Sequence, residues 1–185
     1  MKVNIMNMTY EEIERKANEI IQKYQPDALE EIDVIRIAKS MGFVVGNIEL
    51  DENEDGFIIV NDEKKIAGIG ENRIIGINQN RSPKDKMFTI AHELGHYIFE
   101  KDDNKLIYAH RERKKKDNNA SGYVYENKID FFAACLLMPK ESFIKKYNAS
   151  KELYKDDIDS IVDKLSNIFG VTTKSVLRRI DEVGL

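Results

Sequence analysis

Residues 92–96 read His-Glu-Leu-Gly-His, in a chain that has three histidines in all. Two imidazoles four positions apart share one face of a helix, with their Cβ atoms roughly 5–6 Å apart. From that spacing both can reach a single Zn²⁺ at about 2.0–2.1 Å. Glu93 is rotated about 100° from His92, beside the metal and not on it, where it can take a proton from a water. The pattern therefore demands a helix, and the residues before it supply a start signal. Ser82 can cap, Pro83 suits the first helical position, and Asp85 completes a capping box. Met87, Ile90, Ala91, Leu94 and Ile98 then recur at helical spacing as a core-facing stripe, with His92 and His96 on a different face. Gly95 inside this helix costs about 1 kcal/mol relative to Ala. A close neighbour, such as a strand or a substrate backbone, accounts for its use. The plainer alternative is a helix with two histidines on a polar face. The glutamate, the start signal and a second motif weigh against it.

A catalytic zinc site uses three protein ligands and keeps one position open. The extended pattern H-E-x-x-H-x-x-G-x-x-H fails, because Phe99 and Asp102 stand where Gly and His are required. His110 lies in a charge-rich stretch with no predicted rigid element to hold it. The better candidate begins 30 residues after His96, in the run Glu126 to Pro139. Ile129, Phe132, Ala133, Leu136 and Leu137 give it helical spacing, and Pro139 stops it. Glu126 and Asp130 are four apart on its polar edge. A mostly buried helix carries paired carboxylates on one side only if they have a partner. Glu126 can bind zinc, and Asp130 can accept a hydrogen bond from the far nitrogen of a zinc-bound histidine. On these residues alone, two solvated carboxylates at a helix start remain the competing reading.

Taken together, the segment His92–His96 and the run Glu126-x-x-x-Asp130-x-Phe132-Ala133-Ala134-x-Leu136-Leu137-Met138-Pro139 resemble the ImmA/IrrE family of zinc metallopeptidases. Lys86–Ala91 is similar to the family's lead-in to the histidine motif. Ile37–Phe43, Phe169–Thr172 and Leu177–Ile180 extend the resemblance over most of the chain. It implies a gluzincin-like site with one Zn²⁺ per chain: His92, His96 and Glu126 as ligands, Glu93 as general base. The family usually shows Ala-Asn where this chain has Ile129-Asp130. Asp preserves the hydrogen-bond acceptor and adds charge. The resemblance also implies a zinc-dependent endopeptidase acting on a protein substrate. That substrate would be a helix-turn-helix (XRE-type) transcriptional repressor of stress, prophage or mobile-element genes, encoded nearby, whose cleavage relieves repression. His110, Tyr123 and Tyr125 are candidates for an oxyanion stabiliser from position alone, each weighed against a loop or packing role.

Composition agrees with an intracellular enzyme. The 185 residues are 42% hydrophobic and 34% charged, enough for a sizeable core. A single cysteine excludes an internal disulfide framework, and Cys135 reads as a small buried hydrophobe. The first residues lack the apolar stretch of a signal peptide, and no segment approaches the roughly 20 apolar residues of a membrane span. The expected location is the cytoplasm, with no membrane partner. Net charge −4 and pI about 5.5 disfavour direct nucleic-acid binding. Arg111 and Arg113–Lys116, followed by Asp117–Gly122, read as a solvated, mobile loop between the two candidate zinc helices.

The expected fold class is α+β and zincin-like. Thr9-Tyr10-Glu11-Glu12 is a capping box that starts an amphipathic helix ending before Pro26, and a second helix runs through Ile32 and Ile37 to Gly42. Short β-branched runs at Phe43–Val45, Phe57–Val60, Lys65–Ile69 and Arg73–Ile77 predict a small, mostly antiparallel sheet beside the zinc helix. Arg73–Asn78 is the expected open edge, where an extended peptide can add as a strand. Two C-terminal helices follow, with apolar sides Ile158, Ile161, Leu165, Ile168 and Val176, Leu177, Ile180, Val183. The expected division is a zincin-like metallopeptidase domain, 1–148, and a helix-turn-helix-like subdomain, 149–185, packed on it. Arg178-Arg179 in the last helix motivates a rival reading. In it the chain is a non-proteolytic regulator that binds a repressor or DNA through its C-terminal helices.

Overall fold

The computed structural model describes residues 4–26, 31–61, 65–66, 70–100, 107–112 and 120–185. Among them lie seven α-helices and four strands, an α+β arrangement consistent with the expected zincin-like fold, except that one strand lies between the two candidate zinc helices. Helix α1 (Tyr10–Tyr24) starts at a capping box in which Thr9 and Glu12 each accept from the other's main chain. Helix α2 (Val34–Ser40) is capped by Asp33. It ends at Gly42, whose φ of 86° only glycine adopts readily.

Strands β1 (Val44–Ile48), β2 (Glu54–Val60), β3 (Arg73–Asn78) and β4 (Ile107–Glu112) form one sheet in the order β1-β3-β2-β4. Strands β1 and β3 pair in parallel, and the other two pairings are antiparallel. The strand expected at Arg73–Asn78 therefore lies inside the sheet, not at its edge. Its continuous apolar run suits a strand flanked on both sides. Gly76 sits there opposite Phe57, and a β-carbon at Gly76 would come within 2.6 Å of that ring. The expected strand at Lys65–Ile69 is absent at Lys65 and Ile66, which belong to the turn region linking β2 to β3; 67–69 lie outside the described residues. In its place β4 completes the sheet. The stretch read as charge-rich loop is thus strand up to Glu112, and helix resumes at Ala120; 113–119 lie outside the described residues.

Helix α3 (Pro83–Glu100) follows β3. Ser82 accepts from the Asp85 main chain at 3.1 Å and donates to the Asp85 carboxylate at 2.7 Å. Helix α3 packs on β2, β3 and β4 and, on another side, on helix α4 (Ala120–Leu137). Because it is enclosed by sheet and helices, its burial extends past the expected stripe. Thr89, His92, Glu93, His96, Tyr97 and Phe99 are buried with Ile90, Ala91 and Leu94. Gly95 answers to α4, not to a strand or substrate: a β-carbon there would lie 3.0 Å from Ile129 Cγ2 and 3.1 Å from Phe132 Cδ1.

Helix α5 (Lys140–Tyr154) starts at Pro139 and leads to α6 (Ile158–Ile168) and α7 (Thr173–Val183), the latter capped by Thr172. The faces of the last two helices differ from the expected ones. Ile158 and Leu177 are exposed, whereas Val162 and Arg179 are buried. Arg179 is the largest fully buried side chain among the described residues. It donates to the Met138 carbonyl at 3.1 Å, contacts Cys135 Sγ at 3.4 Å, and pairs with Glu14 of α1. The guanidinium thereby joins α1, α4 and α7. At the other end of the fold, Lys128 of α4 donates to the carbonyls of Ile5, Met6 and Met8, holding the short 3-10 turn Ile5–Asn7. No helix among the described residues is long and apolar enough to cross a membrane.

Candidate metal centre

Helix α3 supplies His92 and His96, and α4 supplies Glu126. Among the described residues these three form the group that could hold a metal ion. The packing of Gly95 against Ile129 and Phe132 sets how close the two helices come. Both imidazoles are buried, and Glu126 is partly exposed, so the centre opens to solvent on the side of α4.

The donor atoms converge. His92 Nε2 and His96 Nε2 are 3.1 Å apart; Glu126 oxygens lie 3.3 Å from the first and 3.7 Å from the second. In a tetrahedral site with bonds of about 2.0–2.1 Å, neighbouring ligand atoms stand roughly 3.3–3.4 Å apart. The observed spacings bracket that edge length. Two nitrogen lone pairs and a carboxylate pressed together below 4 Å suit one shared cation, and the donor set fits zinc.

The far side of each ring is also held. His92 Nδ1–H donates to Asp130 Oδ1 at 2.8 Å, since a carboxylate can only accept there. That bond fixes the tautomer and leaves the Nε2 lone pair facing the centre. His96 Nδ1 lies 3.3 Å from the Tyr125 hydroxyl, with the two rings 5.7 Å apart. Glu93 is buried beside His92 on the next helical position.

The sequence candidates are distributed as follows. His92, His96, Glu126 and Asp130 meet at one point. Tyr125 joins them at the outer nitrogen of His96. Tyr123, also on α4, is 56% exposed. His110 lies on β4 opposite Phe57 of β2, and its side chain lies outside the described residues. Two contacts escaped sequence reasoning: Tyr125 with His96, and Arg178 of α7 with Asp130. The first was within reach, because Tyr125 directly precedes Glu126. The second joins residues 48 positions apart and left no local signal.

A search of curated proteins finds no match. Among solved structures, a Mycobacterium tuberculosis transcriptional regulator has a similar fold, with TM-score 0.56 and 17% sequence identity. The alignment covers 92% of this chain and 46% of that one, so this chain spans about half its length. The profile of the IrrE N-terminal-like domain (Peptidase_M78) matches residues 38–181, which include α3, α4 and most of α7. The chain therefore belongs to the ImmA/IrrE family.

Proposed function

We propose that this protein is a zinc-dependent endopeptidase that cleaves a helix-turn-helix (XRE-type) transcriptional repressor, relieving repression of stress or mobile-element genes. One observation carries the reading: His92, His96 and Glu126 converge at ligand spacing with Glu93 buried beside them. Membership of a peptidase family supports it. Residues 1–148 form the peptidase domain and 149–185 a helical subdomain packed on it. The protein works in the cytoplasm.

His92, His96 and Glu126 would hold the zinc, which when bound would supply Lewis acidity to a water and to the scissile carbonyl. Glu93 accepts the water's proton and delivers it to the leaving amide nitrogen, so hydrolysis yields one carboxylate and one amine. Asp130 holds the outer nitrogen of His92 and keeps its inner lone pair directed at the centre, while Tyr125 contacts the outer nitrogen of His96 and steadies that ring. The substrate backbone adds to β4, which pairs on one side only among the described residues and packs against α3. The oxyanion stabiliser comes from His110, Tyr123 or Tyr125.

Nucleic-acid binding through α7 is disfavoured by its arginines. Arg179 is buried, and Arg178 is engaged with Glu182 and Asp130. The test uses the full chain and the repressor encoded beside it. The wild type binds about one zinc, and Glu93→Gln keeps the metal while losing cleavage by about 10²–10⁴-fold. Cleavage by Glu93→Gln at the wild-type rate sinks the proposal and favours a regulator that acts by binding alone.

A further inference from the structure

Asp130 is approached from two helices at once. Its Oδ1 accepts from His92 of α3 at 2.8 Å, and its Oδ2 lies 3.5 Å from Arg178 Nη1 of α7. The same guanidinium reaches the Asn127 carbonyl with Nη2 at 3.5 Å, and its Nε donates to Glu182 Oε1 at 2.8 Å. We propose that Arg178 is a positioning residue for the metal centre: it fixes Asp130, Asp130 fixes His92, and the seating of α7 thereby sets metal affinity. This rests on reading His92, His96 and Glu126 as metal ligands.

The long contacts of Arg178 are individually weak, because the side chain is 42% exposed. What gives them effect is the base beneath them. Glu182 is largely buried, and Arg179, the neighbour of Arg178, pins α7 to the end of α4 through Cys135 and the Met138 carbonyl that follows the helix. The guanidinium plane is thus fixed by α7 before it meets Asp130. Two opposite effects on a bound cation follow. The positive charge repels it, and the oriented carboxylate favours it. Solvent at the half-exposed arginine screens the charge, whereas orientation acts through the 2.8 Å contact to a buried ring. Orientation therefore wins, and loss of Arg178 weakens metal binding. By linkage, metal must in turn stabilise the docked α7.

The experiment measures zinc affinity by chelator competition for wild type, Arg178→Ala, Arg178→Lys, Asp130→Ala and the double alanine variant. Removing an outer partner of a ligand typically costs about 10–100-fold, and Arg178 stands one contact further out, so about 3–10-fold is expected. Arg178→Lys keeps a donor and a charge and recovers part of the loss. In the Asp130→Ala background the Arg178→Ala change has no further effect. Zinc also slows amide exchange across residues 173–183 in the wild type, and less so in Arg178→Ala. The inference is overturned if Arg178→Ala binds zinc as tightly as the wild type or more tightly, or if its loss persists undiminished without Asp130. A wild-type chain that takes up no zinc overturns the metal reading itself. Zinc uptake by the wild type with no change in Arg178→Ala overturns this inference alone.

Discussion

Gly95 on α3 and Ile129 on α4 meet closely enough that a methyl group fits only if its neighbour shifts: a β-carbon on the glycine would lie 3.0 Å from Ile129 Cγ2. The contact falls one residue before His96 and three after Glu126, on the seam that sets the distance between the two metal helices. Gly95→Ala gains about 1 kcal/mol of helix propensity and meets an overpacking cost of about 1–3 kcal/mol. Ile129 is fully buried, so moving it disturbs its own packing, and the expected net loss is about 1 kcal/mol. Denaturant unfolding measures it. On the proposed reading the variant's zinc affinity falls as well, because α3 and α4 are pushed apart; unchanged affinity refutes the seam as a determinant of the site.

Arg179 offers a sharper stability test. Its guanidinium is buried and shared among Glu14, the Met138 carbonyl and Glu182. Arg179→Met fills the space but strands Glu14 and the carbonyl, and a loss of about 3–5 kcal/mol is expected. Adding Glu14→Leu removes the stranded charge and restores part of that loss. If the double variant is less stable than Arg179→Met, the account of a buried charge held by its partners fails.

Cys135 is buried against the same guanidinium. Burial pushes its thiol far above the ordinary range, and the nearby Arg179 offsets this only in part. The folded chain is expected to resist a thiol-labelling reagent at neutral pH and to react fully once unfolded. Rapid labelling of the native chain contradicts the packing described.

Glu182 gives a pH signature. Burial raises its carboxyl above the usual value, opposed by Arg178 and then Arg179. Between the ordinary carboxylate value and the raised one, the folded chain holds a proton that the unfolded chain has lost. Stability therefore falls as pH rises through that window. Glu182→Gln removes this segment of the fall in a stability–pH series, and an unchanged slope assigns it to other groups.

The convergence of the candidate residues was legible because they stand at helical spacing. His92 and His96, then Glu126 and Asp130, each share a helix face, and start signals such as Ser82 and Thr9 mark where helices begin. What resisted reading depends on partners far along the chain. Strand β4 runs directly into the basic stretch that follows it, which hid it in the sequence, and it pairs with β2, some fifty positions earlier. Whether β3 was edge or interior turned on β1 and β2, not on its own residues. Helix α5 buries only Phe143 and Ser150 among its fifteen residues and so carries no apolar stripe. Arg179 looked like a surface charge because its partner, Glu14, stands 165 positions earlier.

That pairing of Glu14 with Arg179 has a consequence for synthesis. Helix α1 completes this contact only when α7, 165 positions further on, is available, and the carbonyls of Ile5 and Met8 likewise wait for Lys128. Contacts of such sequence separation close late and cooperatively. On the proposed reading, a chain cut before α7 keeps both metal motifs but lacks the Glu14–Arg179 pair and the contact of Arg178 with Asp130.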